Sequence, residues 1–176
     1  MTNFIITITA IFMFQGIVIF DFSKDSSGKG WYIVDDTVMG GRSEGAVGTD
    51  SDGHGVFEGI VSLENNGGFS SVLYRSGSIN LDQYSRFILR VKGDGKNYQF
   101  RVSRSRSDRH SYTYTFATNG EWQIIEIPFA EMSPTFRGFT PDIPNFPGDR
   151  MEEIGFLIGN KKAESFRLLI DRIGVE

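Results

Sequence analysis

The sequence predicts an all-β protein, an antiparallel sandwich of about nine or ten short strands. Three observations carry this. Apolar and polar residues alternate in short runs, most clearly where Phe87, Leu89 and Val91 interleave with Ile88, Arg90 and Lys92. Gly and Asn cluster between the runs. The chain has 21 Gly among 176 residues, about 12% against a usual share of about 7%. No long stretch beyond the N-terminus shows a helical period.

The chain is long enough for one domain with its own core. Its 39% hydrophobic content and net charge of −4 exclude a disordered chain. With no Cys, a disulfide framework and a Cys-based zinc site are both excluded. A balance of 18 basic to 22 acidic residues provides no global field for nucleic acid, so none is expected as a partner. The basic run at 101–110 holds Arg101, Arg104, Arg106, Arg109 and His110. It reads as a solvated hairpin tip, with a small anion-binding or partner-docking patch as the alternative, and lacks the aromatic pattern of an RNA-binding sheet.

Residues 1–16 form an apolar segment, and the folded domain is expected over 17–176. The segment leaves three readings open: an export signal, a membrane anchor, or an apolar chain start. No Lys or Arg precedes it, and cleavage after Gly16 would place the bulky Phe14 three residues before the cut. Localisation follows: exported or membrane-associated if the segment acts as signal or anchor, otherwise cytoplasmic. The first strand is expected at 17–22, then a polar loop at 23–30 and a short apolar stretch at 31–34. Residues 35–45, with Gly40, Gly41 and Gly45, read as a loop. Strands at 56–63 and 69–75 are separated by Asn65, Asn66, Gly67 and Gly68, residues that tolerate positive φ. A hairpin is expected from 87–92 to 98–103 around Gly93, Asp94, Gly95, Lys96 and Asn97. Further strands follow at 112–116 and 122–128, where Pro128 ends a strand or marks an edge. Residues 130–150, with Pro134, Pro141, Pro144 and Pro147, read as a long irregular loop. Strands at 153–158 and 166–175 close the chain.

Catalytic patterns are missing. There is no His-Glu-x-x-His, no G-x-S-x-G, no Walker A sequence and no Cys nucleophile. No enzyme, cofactor or metal site is therefore expected. Asp50, Ser51, Asp52 and Gly53 read as a surface turn. Asp35, Asp36 and Asp94 lie beside Gly-rich loops, where Asp ordinarily bonds to nearby backbone. The motif that stands out is W-Y-I-V-D-D-T-V-M-G-G-R-S at 31–43. Its paired glycines allow either tight packing of the loop on the sandwich or a binding loop whose amides face a partner.

This run resembles the signature of the complex I intermediate-associated protein family, assembly factors for the respiratory NADH:ubiquinone oxidoreductase. Similar segments follow in order: F-E-G at 57–59, E-N-N-G-G-F at 64–69, V-K-G-D-G-K-x-Y at 91–98, a run from Trp122 ending I-P-F at 127–129, and F-R-G at 136–138. The likeness covers about 19–175 and is to the compact bacterial type. It implies a galactose-binding-like jelly-roll sandwich and a chaperone-like role in complex assembly, with no catalytic centre. The implied partner is a protein, such as a complex I assembly intermediate. The candidate surface comprises Trp31, Asp36, Met39, Gly40, Gly41, Ser43, Gly67, Gly68, Phe69, Phe136 and Arg137, with Trp31, Phe136 and Arg137 as exposed anchors. The alternative is a carbohydrate or other small-ligand module, with Asp94, Arg101 and Trp122 as contacts by fold analogy.

Overall fold

A computed structural model describes residues 16–176. The apolar segment read at the N-terminus lies, apart from Gly16, outside the described residues. Among the described residues no helix is long and apolar enough to cross a membrane.

Among the described residues, twelve strands form two six-stranded antiparallel sheets. In chain order they are β1 (Ile17–Asp21), β2 (Trp31–Asp35), β3 (Glu44–Thr49), β4 (Gly55–Val61), β5 (Ser70–Asn80), β6 (Arg86–Lys92), β7 (Asn97–Ser103), β8 (Ser111–Ala117), β9 (Trp122–Pro128), β10 (Ser133–Thr135), β11 (Arg150–Ile158) and β12 (Glu164–Val175). The first sheet runs β3-β4-β12-β6-β9, with β1 also on β12; the second runs β10-β8-β7-β11-β5-β2.

Alternation decides which side chains enter the space between the sheets. Phe87, Leu89 and Val91 on β6 face Phe100, Val102 and Tyr98 on β7, all at most 1% exposed. Rings bridge the two sheets at several points. Phe87 meets Phe100 at 5.1 Å between centroids, and Phe20 on β1 meets Trp31 on β2 at 5.5 Å. The phenylalanine excess of the sequence is largely this core.

The structure corrects the sequence reading in four places. The expected hairpin of β6 and β7 is absent, because the two strands lie in different sheets. Both turn an alternating apolar row inward, and a hairpin and a sheet-to-sheet arch share that period. The arch is held at Gly93, where an added Cβ would sit 2.4 Å from Thr118 Oγ1. Asp94 draws it onto the first sheet by accepting from Tyr98 Oη (2.8 Å) and from the Arg167 amide (3.0 Å). Second, residues 35–45 hold a short 3-10 helix (Asp36–Met39) and the start of β3 rather than loop alone. Third, the Pro-rich stretch carries another short 3-10 helix (Phe129–Glu131) and the edge strand β10, with Phe146 buried beneath it. Fourth, short edge strands raise the count to twelve. Pro128 does close β9 at a sheet edge, where its missing N–H is harmless.

Phe100 is fully buried between Phe87 and Phe156. Phe100→Ala is expected to cost about 3–5 kcal/mol in urea unfolding, since the cavity cannot close between two sheets. A loss below about 1 kcal/mol would show that the sheets are not joined through this ring.

Candidate functional site

The loop end that carries the 31–43 and 64–69 motifs is built around one carboxylate. β2 ends at Asp35, and the chain turns directly into the short helix Asp36–Met39. Asp35 accepts from Gly45 N (2.9 Å) and Ser70 Oγ (2.6 Å), tying β2 to β3 and β5. Asp36 is fully buried, as is Ser43. Its Oδ1 accepts from the Ser43 amide at 2.9 Å. Its Oδ2 accepts from Ser43 Oγ, from the Gly68 amide at 2.6 Å and from the Phe69 amide at 3.2 Å. The Ser43 hydroxyl oxygen in turn accepts from Ser62 N at 3.0 Å.

The two glycines beside this carboxylate exist to make room for it. A Cβ on Gly41 would lie 2.2 Å from Asp36 Oδ1, and one on Gly67 would lie 2.6 Å from Oδ2. Asn65 (φ 56°) and Asn66 (φ 60°) take the left-handed conformation that Asn tolerates, and Asn65 Nδ2 donates to Gly40 O at 3.2 Å. Of the two readings of the paired glycines, tight packing is the one seen: the Gly40 and Gly41 amides bond to Thr37 O and Asp36 O, and the Ser43, Gly68 and Phe69 amides face the Asp36 carboxylate. Among what the junction leaves to solvent are three apolar side chains: Val38 is 70% exposed, Met39 60% and Leu63 46%. Arg42 and Glu64 form an exposed pair at 3.0 Å beside them.

The remaining candidates do not converge on one site. Trp31 is only 7% exposed, packed among Phe20, Phe22 and Tyr74, and so is not available as an anchor. Trp122 lies on edge strand β9 with Arg90 over its ring at 4.4 Å and His54 at 4.7 Å. Asp94 holds the β6–β7 arch, and Arg101 stands on the second sheet. Phe136 and Arg137 form a tight turn beyond β10, with Arg137 stacked on Phe136 at 5.4 Å. Asp50, Asp52 and His54 approach one another in the β3–β4 turn, but Asp50 already accepts the Asp52 and His54 amides. This is the surface turn the sequence suggests.

A second feature surrounds Arg101, which the sequence offers as a ligand contact without showing the cavity. The outer face of the second sheet holds a cavity of about 190 Å³, lined by Leu73, Arg101, Ser103, His110, Ser111 and Glu153 among others. Glu153 accepts from Tyr32 Oη at 2.6 Å, with Arg75 Nε at 3.7 Å. These residues come from four strands and a loop, so no local pattern announces them.

Burial alone would raise the Asp36 pKa, but hydrogen bonds from Ser43, Gly68 and Phe69 outweigh it and the net direction is down. Its contribution to stability is therefore full above the ordinary aspartate value of about 4 and is lost as pH falls through the lowered folded value. Asp36→Asn is expected to cost about 3 kcal/mol, or about 6–12 °C in melting temperature, at neutral pH. The deficit should shrink on acidification below about pH 4. Melting curves from neutral to acid pH read this; a deficit independent of pH would contradict a charged Asp36. A Ser43→Ala double-mutant cycle with Asp36→Ala should be strongly non-additive.

A family model described as Complex I intermediate-associated protein 30 (CIA30) matches residues 20–170. The mitochondrial complex I intermediate-associated protein 30 of Mus musculus is 26% identical over 192 residues, covering 94% of this chain. This chain spans 57% of that relative's length. Among solved structures, a family 11 carbohydrate-binding module of Clostridium thermocellum in complex with a β-1,3-1,4-mixed-linked tetrasaccharide superposes with a TM-score of 0.60 at 16% identity, over 84% of this chain and 88% of that one. A variant of the family 29 module CBM29-2 does so with a TM-score of 0.53 at 14% identity, over 92% and 91%. The fold is thus the galactose-binding-like jelly roll that the sequence resemblance implied. With 151 consecutive positions (20–170) matched to one family model, this chain belongs to the complex I intermediate-associated protein 30 family.

Proposed function

We propose that this protein is a non-catalytic, chaperone-like interaction protein that binds assembly intermediates of respiratory complex I. The observation that carries it is the junction at Asp36. One buried carboxylate locks two family motifs into a single platform, and the platform presents Val38, Met39 and Leu63 to solvent. Apolar side chains on a braced loop give a partner a surface that is already ordered, so little entropy is lost when it binds. The Arg42–Glu64 pair borders the apolar patch with charge, in the manner of an interface rim. Family membership and the mouse relative's description support the choice of partner.

A second function is favoured by a different observation, the cavity at Arg101 on the outer face of the second sheet. The solved structures of like fold are described as carbohydrate-binding modules. On this reading the second sheet holds a small saccharide-like ligand while the loop end holds protein. The two surfaces are separate and can be tested separately.

Val38→Asp and Met39→Asp should each weaken partner capture by about 2 kcal/mol, because a charge would enter a desolvated contact. Both positions are exposed, so melting temperature should stay within a degree or so of the parent, about 0.5 kcal/mol. Capture from detergent-solubilised membranes, with respiratory subunits quantified by mass spectrometry, is the measurement. Equal enrichment by parent, both variants and an Ile124→Asp control on β9 would refute the platform.

A further inference from the structure

Arg101 sits in the middle of β7, paired across to Gly155 on β11 and Thr113 on β8. Its neighbours Phe100 and Val102 are fully buried in the core, so Arg101 projects from the opposite, outer face. There it is largely enclosed. Gly155 on β11 lets the Leu73 side chain lie across that strand, where a Cβ would meet Leu73 Cδ2 at 2.4 Å. Leu73 walls one side of the cavity, and residues 108–110 of the β7–β8 loop line the other. The 101–110 run is therefore more than a solvated hairpin tip.

Two other arginines of this sheet and its loops are paired, Arg75 with Glu153 and Arg104 with Asp149. Arg101 has no ion pair or hydrogen bond among the described residues, and its Nε is shielded from solvent with no acceptor. Burial holds its guanidinium below its ordinary pKa. Glu153, an acid of the cavity wall, is already engaged by Tyr32 and Arg75. A shielded guanidinium without a counter-ion is costly unless something completes it.

We propose that the Arg101 cavity binds a small hydroxylated monocarboxylate, a sugar acid or a hydroxy acid, with its carboxylate on the Arg101 fork. Arg presents parallel N–H donors that match a carboxylate in two-point contact. The lining sets Glu153 and Asp108 against Arg101 and Arg109, a balance that leaves no surplus positive charge for a doubly charged phosphate and favours a singly charged carboxylate. The same carboxylates, with Ser103, Ser111 and His110, offer acceptors and donors for hydroxyl groups beside the acid. The volume, about 190 Å³, is below the roughly 300–1,000 Å³ of pockets for drug-sized ligands, so one sugar-sized unit fills it. The inference rests on the second function above, a small ligand on the outer face of the second sheet. It is independent of the protein-binding platform.

The test is an NMR titration of the nitrogen-15-labelled full chain with four probes: D-glucuronate, L-lactate, D-glucose and inorganic phosphate, each to about 10 mM. The expected result is saturable shifts of the Arg101 Nε–H and of the Ser103 and Gly155 amides with glucuronate or lactate. Glucose and phosphate should produce far weaker ones. Which of the two acids binds tighter identifies the source of the carboxylate. Arg101→Gln should weaken that binding about tenfold or more, and Arg101→Lys, which keeps the charge but loses the fork, by less. Both variants should keep the parent melting temperature, because the side chain makes no bond in the fold. Equal binding of glucose and glucuronate, indifferent to Arg101→Gln, would overturn the carboxylate inference and leave the small-ligand function standing. Tighter binding of phosphate would overturn it as well. No shift with any probe would overturn the inference and the small-ligand function together.

Discussion

Asp36 is a charge held in a dry place, and the loop end is arranged around that fact. A carboxylate removed from water must replace its lost hydration with donors, or it will not stay ionised. Ser43 supplies two, and the Gly68 and Phe69 amides supply the rest. The Gly68 and Phe69 donors lie more than 30 residues along the chain from Asp36, so satisfying one side chain fixes the relative position of two loops. Gly41 and Gly67 follow from the space the carboxylate takes, and the left-handed Asn65 and Asn66 from the path that brings Gly68 to it. Val38 and Met39 remain outside because the short helix has no other face to bury.

This explains why the family motif is dense in Asp, Gly and Ser while the surface it offers is apolar. Asp35, Asp36 and Ser43 turn inward and hold the loops. The apolar residues that face outward, Val38, Met39 and Leu63, are unremarkable in sequence. The motif marks the frame of the platform, and contact falls to the residues between its fixed points. The Arg101 cavity divides its labour in a similar way. There the strands and the β7–β8 loop make the walls, and the Arg101 guanidinium supplies the chemistry.

Much of the sandwich was legible in the sequence, because period-two alternation follows directly from strand geometry. The inward rows Phe87, Leu89, Val91 and Tyr98, Phe100, Val102 could be assigned to a core before any coordinates. Strand partners could not, since an arch between sheets and a hairpin within one share the same alternation and the same Gly-Asp-Gly turn. Asp36 and its glycines were visible as a motif, but its bonding lies across the fold and left packing and binding equally open. Trp31 was misjudged because a Trp in a motif reads as an anchor, and only the ring contacts with Phe20, Phe22 and Tyr74 place it inside. Arg101 was visible as a residue, while the cavity around it is assembled from β5, β7, β8, β11 and a loop and has no local signal.

The central claim is that one carboxylate couples the two motif loops. Hydrogen–deuterium exchange of the full chain, comparing the parent with Asp36→Asn, reads that coupling directly. The amides of Ser43, Gly68 and Phe69 should lose protection together in the variant, while the amides of β6, β7 and β11 keep theirs. Protection lost in only one of the two loops, or retained in both, would contradict the claim.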